Sequence, residues 1–483
     1  MKPEQALTKL LGEKSVIVET DAMRPYVTEW RGVYTPKVRA VILPKNTQEV
    51  ARTVRFCADE GIPLTPQGGN TGLVGATAPE HSDGIILNLG RMNTIRKLDT
   101  IDNAAIVEAG VILQILQQAA GDAGRMFPLR LGSEGSAQVG GLIATNAGGA
   151  HAARYGMMRE QVLGLEVVLP DGSILDGLST LRKNNTGPDL KHLFIGSEGA
   201  FGIVTAAGLR LVPRPVARRS LLVAFETIEQ GLNLLHLARS LSGDNVEVFD
   251  FISRTGIEFA TRHVQGVHNP LSTPSPWVGL IELTGANEEY LEGLIEQFIE
   301  KSFEADLLID GVQASSDSQR QQFWKLREAV SEGQRAAGPE LKHDIAVPLR
   351  NLADFICEAS NAVANVDPNI MINPFGHIGD GNVHFNLTLD AATTCSSTRD
   401  TLSQMIFAIA HGHDGTFSAE HGIGRLKENV ARDWLSAPHR KLVGDLKKTL
   451  DPMALMSPAV LRWANNSFEG NPQKPHQVRR DSI

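Results

Sequence analysis

The sequence predicts an α+β protein of more than one domain, and three observations carry that prediction. At 483 residues the chain is longer than one hydrophobic core organises, since domains cluster at roughly 100–200 residues. Buried-strand patterns alternate with helical ones across short links through its first half. A second unit of the same kind follows LRLVPRPVARR (209–219), a proline- and arginine-rich boundary.

The first 35 residues read as a helical lead-in ending in the aromatic stretch Tyr26 to Tyr34. VRAVILP (38–44) is a buried strand, TQEVARTVRFCADEG (47–61) a helix with Thr47 as its cap, and PLTPQGG (63–69) a strand entering a glycine loop. GIILNL (84–89) and AAIVEAGV (104–111) are further strands, and ILQILQQAAGDAG (112–124) has helical apolar spacing. LGLEVVLPDGSILDG (163–177) is a hairpin turning at Pro170-Asp171-Gly172. In the second unit LLVAF (221–225) and WVGLIEL (277–283) are strands, and EEYLEGLIEQFIEKSF (288–303) is an amphipathic helix. The expected divisions are a lead-in over 1–35, a first domain over 36–218, a second over 219–425 and a helical segment over 426–464. The polar, proline-containing tail 465–483 is expected to be disordered.

A net charge of −9 speaks against a nucleic-acid binder, which needs a basic face. Cys57, Cys357 and Cys395 form no C-x-x-C pair, so neither a disulfide framework nor a cysteine-held cluster is indicated. No run of about 18 apolar residues suggests a membrane span. The opening MKPEQALTKLLGEKSV carries no export or organelle signal, which gives a cytosolic expectation.

Glycine is in excess, with 46 residues against a background of about 7%. Much of it sits in three blocks. The first is Pro66-Gln67-Gly68-Gly69-Asn70-Thr71-Gly72-Leu73-Val74-Gly75. The second runs Gly132-Ser133-Glu134-Gly135-Ser136 and Gly140-Gly141-Leu142-Ile143-Ala144-Thr145-Asn146-Ala147-Gly148-Gly149. The third is Gly196-Ser197-Glu198-Gly199-Ala200-Phe201-Gly202-Ile203-Val204. Such loops can turn successive N–H groups onto a pyrophosphate. One of them alone could be a tight turn; three in one domain are hard to explain that way. None is G-x-G-x-x-G with an acidic residue at ribose distance, so a Rossmann nicotinamide site is not indicated.

The strings PQGGNTG, GGLIATNAGG, RYG (154–156), LGLEVVLPDG and GSEGAFGIVT together resemble the FAD domain of the vanillyl-alcohol-oxidase-type flavoproteins. Within them the chain is similar to the D-lactate, glycolate and D-2-hydroxyglutarate dehydrogenase branch, over roughly residues 20 to 460. The resemblance implies FAD between two α+β subdomains, beneath a separate α+β cap that binds substrate, with the C-terminal helical segment returning to the flavin. It implies that Pro66, Gln67, Gly68, Gly69, Asn70, Thr71, Gly72 and Leu73 clasp the pyrophosphate. Ser133, Glu134, Gly135, Gly140, Gly141, Thr145, Asn146 and Gly149, with Gly199, Gly202, Ile203 and Val204, would line the rest of the cofactor. With no histidine or cysteine in residues 66–75 the FAD is expected to be non-covalent, His151 being a conceivable attachment point.

A second constellation lies in the other unit. Gly376-His377-Ile378-Gly379-Asp380-Gly381-Asn382-Val383-His384-Phe385-Asn386 puts His377 in a glycine-rich loop, with His384 and Asn386 on one side of a following strand. Ser418-Ala419-Glu420-His421-Gly422-Ile423-Gly424 is a small-residue loop before a helix. Two histidines and a glutamate from separate segments make a plausible His₂Glu divalent-metal site with positions left for substrate, though spacing alone leaves a structural reading equally open. The resemblance implies a divalent metal, zinc, on His377, His384 and Glu420. It makes His421 the general base that removes the C2 hydroxyl proton while hydride passes to flavin N5. Such a metal would lower the alcohol's pKa and fix the C2–H. His411 and His413 read as structural.

Trp324-Lys325-Leu326-Arg327-Glu328 resembles the family's carboxylate-reading element, and Ser331 lies one helical turn beyond Arg327. With Lys342 these residues would grip a distal carboxylate, Asn386 joining them at the substrate. The chain has Ser331 where the branch has threonine, and Ser457 where it has an asparagine near the flavin. The expected reaction is oxidation of D-2-hydroxyglutarate; a D-lactate or short-chain dehydrogenase is the runner-up, since a monocarboxylate leaves Lys342 nothing to bind. A metallohydrolase and a non-catalytic flavin-binding subunit are the alternatives outside that class. Electrons are expected to leave to a separate carrier, such as an electron-transfer flavoprotein or a quinone-linked partner. A homodimer is the working expectation for assembly.

Overall fold

The computed structural model describes residues 1–390 and 395–464. The expected tail 465–483 lies outside the described residues. Its α+β architecture comprises, among the described residues, two larger sheets and a two-stranded one (Arg125–Met126 with Val212–Pro213) in the N-terminal half, and one large sheet in the second unit.

The first sheet orders the strands Val16–Ile17, Ala40–Ile42, Ile85–Asn88 and Leu64–Gln67. Its last three strands are parallel. Ile85–Asn88 is buried at every position, as a central parallel strand covered on both faces must be. The helix Thr47–Glu60 packs Val50, Val54 and Cys57 onto it. Its cap is Asn46 rather than Thr47, because the Asn46 side chain accepts the Glu49 amide at 2.9 Å. Gly61, at φ 64, ends the helix.

The second sheet is antiparallel and orders Ile95–Asp99, Ala104–Glu108, Ile203–Arg210, Val162–Val168 and Ile174–Gly177. Gly172, at φ 79, makes the predicted hairpin turn, and Asp171 accepts the Ser173 amide at 2.8 Å. The helices Leu113–Asp122 and Val139–Thr145 close the core beside this sheet.

The third sheet is antiparallel throughout. It runs Asp310–Gln313, Ala217–Phe225, Trp277–Gly285, Val246–Ser253, Met371–His377, Asn382–Thr388 and Glu340–Leu341, with Asp344–Ala346 also pairing the strand from Asn382. Phe225, Phe249, Phe251, Phe298, Phe355 and Phe385 fill the core between it and its helices. The 21-residue helix Asp317–Ala337 packs on the other face through Phe323, Trp324 and Leu326. Ala437–Leu450 runs back toward the first sheet, where the amide of Leu64 donates to the Leu455 carbonyl at 2.8 Å.

Candidate active site

The first glycine block leaves the parallel sheet at Gln67, whose amide is already engaged by the Tyr26 carbonyl and Asn88. Pro66 and Gly68 flank it, and Thr71, Gly72 and Leu73 continue along a partly exposed rim. Asn70 supplies the left-handed bend at φ 55, its side chain donating to the Thr28 carbonyl at 2.9 Å. The amides from Gly69 to Gly75 donate to no other described residue. A row of unpaired N–H groups calls for an acceptor from outside the chain. Gly69 is confined to glycine by contact: a Cβ there would lie 2.0 Å from the Ser136 carbonyl oxygen.

The second block differs from the expected loop. Ser133, Glu134 and Gly135 form a turn, but Gly140, Gly141 and Thr145 belong to the helix Val139–Thr145, which ends on Asn146 at φ 49. Val139, Leu142 and Ile143 have helical spacing and are buried, so packing overrides the glycine content. Gly149 follows in the turn beyond. The third block closes on the second, for the amides of Gly196 and Glu198 donate to Ile143 and Ala144 at 3.0 and 2.8 Å. Gly199 and Gly202 then lead into the strand that buries Ile203 and Val204. The three blocks thus pack against one another, the first against Ser136 and the third against Ile143 and Ala144.

In the other unit His377 ends the strand Met371–His377 instead of lying in a loop; its pairing with Asn382 extends the hairpin to that point. His384 lies on the partner strand, its ring centroid 6.1 Å from that of His377. Glu420 joins both, with Oε1 3.8 Å from His377 Nδ1 and Oε2 4.0 Å from His384 Nε2. His377 Nδ1 is buried with no hydrogen-bond partner among the described residues. Burial pushes the Glu420 carboxyl up to about 7 against the pull of His377. An orphaned ring nitrogen facing a desolvated carboxylate is a donor set that a divalent cation satisfies.

Asp344, which no sequence motif marks, stands behind this cluster. It is 2% exposed. Its Oδ2 accepts the amides of Glu420 and His421 at 3.0 Å each, and Oδ1 accepts from Asn382 at 3.1 Å. His421 Nδ1 lies 3.4 Å from Oδ2, and the His384 and His421 rings stack at 6.0 Å. Burial opposes ionisation of Asp344, yet His421, Lys427 and His384 hold its carboxyl well below the usual range. Burial likewise lowers His421, with Asp344 pulling the other way, so a neutral imidazole is favoured. Ligand atoms of Asp344, His384 and His421 also lie within 4.8 Å of one another, but the Asp344 oxygens are occupied by amide donors.

Arg327 Nε meets the buried Asp250 at 2.6 Å, and its guanidinium lies 5.0 Å from the Phe375 ring centroid. Lys342 is paired with Glu340 at 2.8 Å. Both cations are close enough to act electrostatically on the cluster, Arg327 on His377, His384 and Glu420, and Lys342 on His421. Ser331 is on the same helix as Arg327. Asn386 is not offered to the cluster: it is buried, accepting the His343 amide at 3.2 Å and donating to Gln334 at 3.2 Å. His411 stacks edge-on at 4.6 Å against Trp434, and His413 bonds Glu358 at 2.8 Å, as structural histidines do.

Residues 38–177 match the model of an FAD binding domain, and residues 214–461 match that of the FAD linked oxidases, C-terminal domain. The chain is 36% identical to D-2-hydroxyglutarate dehydrogenase, mitochondrial, of Arabidopsis thaliana, over 93% of this chain and 79% of that one. The chain belongs to the FAD-linked oxidases, in their D-2-hydroxy-acid dehydrogenase branch. Its bovine relative, also named a mitochondrial D-2-hydroxyglutarate dehydrogenase, is 34% identical over 92% of this chain and 80% of its own length. The solved structure of p-cresol methylhydroxylase with substrate bound shares the fold at 19% identity, with a TM-score of 0.74 over 95% of this chain and 96% of that one.

FAD is therefore the cofactor, and the unpaired amides of Gly69 to Gly75 fit its anionic part. The cytosolic expectation is corrected: the Arabidopsis and bovine relatives are both named as mitochondrial. Among the described residues no helix is long and apolar enough to cross a membrane.

Proposed function

We propose that this enzyme oxidises D-2-hydroxyglutarate to 2-oxoglutarate. The observation that carries the reading is the convergence of His377 and His384 on Glu420, and of His384, His421 and the Glu420 amide on the buried Asp344, in a chain whose relatives bear that activity in their names. His421, held neutral by burial and oriented by Asp344, takes the proton from the C2 hydroxyl. The C2 hydrogen then leaves with its electron pair, which converts the alcohol to the ketone. Bound FAD supplies the acceptor of that pair, and a divalent ion, zinc by its His₂Glu donor set, would polarise the C2 oxygen. His377, His384 and Glu420 would hold the ion; residues 66–73 and the second and third blocks would hold the FAD, without a covalent bond. Electrons leave to a separate carrier such as an electron-transfer flavoprotein or a quinone-linked protein.

The substrate's distal carboxylate is read by Arg327, Ser331 and Lys342. Asp250 takes one edge of the Arg327 guanidinium and leaves its Nη groups without a partner among the described residues. Hydrogen bonds to charged groups contribute about 1.5–3 kcal/mol. Lys342→Met is therefore expected to lower kcat/KM for D-2-hydroxyglutarate by about 10- to 150-fold. D-lactate has no distal charge, so its turnover is expected to change little. Steady-state kinetics with a redox dye on both substrates check this, and equal losses would favour the lactate-type reading.

A further inference from the structure

The segment carrying Glu420 and His421 has no regular secondary structure, yet almost every amide along it is held from outside. Ala419, Glu420 and His421 donate to Asp344, through its carbonyl and its carboxylate. Beyond Gly422 the holder changes to the flavin-side domain. Glu198 accepts the Ile423 amide at 2.7 Å and the Gly424 amide at 2.9 and 3.1 Å, and the Val74 carbonyl accepts Arg425 and Leu426 at 2.9 and 3.2 Å. Glu198 lies in the third glycine block and Val74 in the first. The loop is thus strung between the cap and the two blocks that face FAD.

Glu198 is built into this place at a cost. Its backbone is left-handed, at φ 52, where glutamate is strained. Its half-buried carboxylate faces consecutive amides as an anion faces a backbone nest. Gly422 admits it, since a Cβ there would stand 2.2 Å from Glu198 Oε1. A carboxylate held by the amides of another domain from a left-handed residue is not accounted for by the packing of either domain alone.

We propose that Glu198 is a positioning residue: it sets the Glu420–His421 loop in register with the flavin-side blocks, so that the base and the metal ligand face the cofactor. The inference rests on the roles proposed above for Glu420 and His421. Glu198→Gly removes the clamp while relieving the left-handed backbone, so FAD content should be retained. In the holoenzyme, hydrogen–deuterium exchange in the peptide 418–427 should rise while exchange over 66–73 stays as in the wild type. Flavin reduction by D-2-hydroxyglutarate should slow by about 10- to 100-fold, as when an outer partner of a ligand is lost. Glu198→Gln keeps an acceptor oxygen and should fall between, and it carries the test if Glu198→Gly does not fold. Unchanged exchange across 418–427, or an unchanged rate of flavin reduction alongside faster exchange, would overturn the proposal. Should the wild type itself reduce with no D-2-hydroxy acid, the proposed function fails while the exchange measurement still decides the clamp.

Discussion

Asp344 does more in this site than any motif around it announces. One buried carboxylate orients the His421 ring and accepts the amides of both Glu420 and His421. Asp344→Asn keeps the shape but turns an amide donor toward those groups and removes the charge beside His421. It is expected to lower kcat by about 10- to 100-fold and to reduce bound zinc with it. Steady-state rates and metal analysis of the purified variant check this; a full rate with full metal content would remove Asp344 from the account. The sequence made His377, His384, Glu420 and His421 visible, because imidazoles and carboxylates among glycines are chemically unusual. Asp344 and Glu198 were not visible, since what they bind is backbone amides of a distant segment. Asn386 alternates onto the side of His384, and its amide also reaches the interior partners His343 and Gln334.

At the scale of elements, the hairpin Met371–Thr388 shows how composition can disguise a strand. Gly376, Gly379 and Gly381 make the stretch around His377 read as a loop, while pairing across to Asn382 keeps it extended. The strands from Ile85 and Trp277, and the LLVAF half of the strand from Ala217, are legible because their sequences are dominated by apolar residues. The strand Val246–Ser253 was not, for it buries Glu247 and Asp250 among its apolar residues. The same sheet holds a titration signal in His343. Its Nδ1 meets the Phe385 carbonyl at 2.8 Å and its Nε2 meets Ser403 at 3.0 Å, joining the strand Asn382–Thr388 to the helix Ser396–Gly412. Burial lowers its pKa to about 4. Between about pH 6.5 and 4 the unfolded chain binds a proton that the native state refuses, so this part of the stability is complete above 6.5 and is lost as pH falls. Each unit of that window is worth about 1.4 kcal/mol. Thermal melting of the wild type and His343→Asn from pH 7 to 5 checks it: the wild type should lose more Tm on acidification, and parallel curves would contradict the assignment.

For the whole molecule, the working unit is the seam between the flavin domain and the cap. Arg154 and Tyr155 of the RYG string cross it, Tyr155 bonding Glu247 at 3.2 Å and Arg154 reaching Thr284 and Asn245. Arg130 crosses as well, its guanidinium 3.7 Å from the Trp324 ring centroid. The free amides of the first glycine block and the His377–His384–Glu420 cluster lie on opposite sides of this seam. Chelation of the holoenzyme is expected to stop turnover while leaving the flavin spectrum nearly intact, and added zinc should restore the rate. Loss of FAD together with the metal would show that the two sites are not independent.

The most direct measurement is anaerobic stopped-flow reduction of the enzyme's own flavin across D- and L-2-hydroxy acids. The account predicts rapid bleaching by D-2-hydroxyglutarate, much slower bleaching by D-lactate and none by L-2-hydroxyglutarate. Bleaching by D-lactate as fast as by D-2-hydroxyglutarate, or by neither, would contradict it.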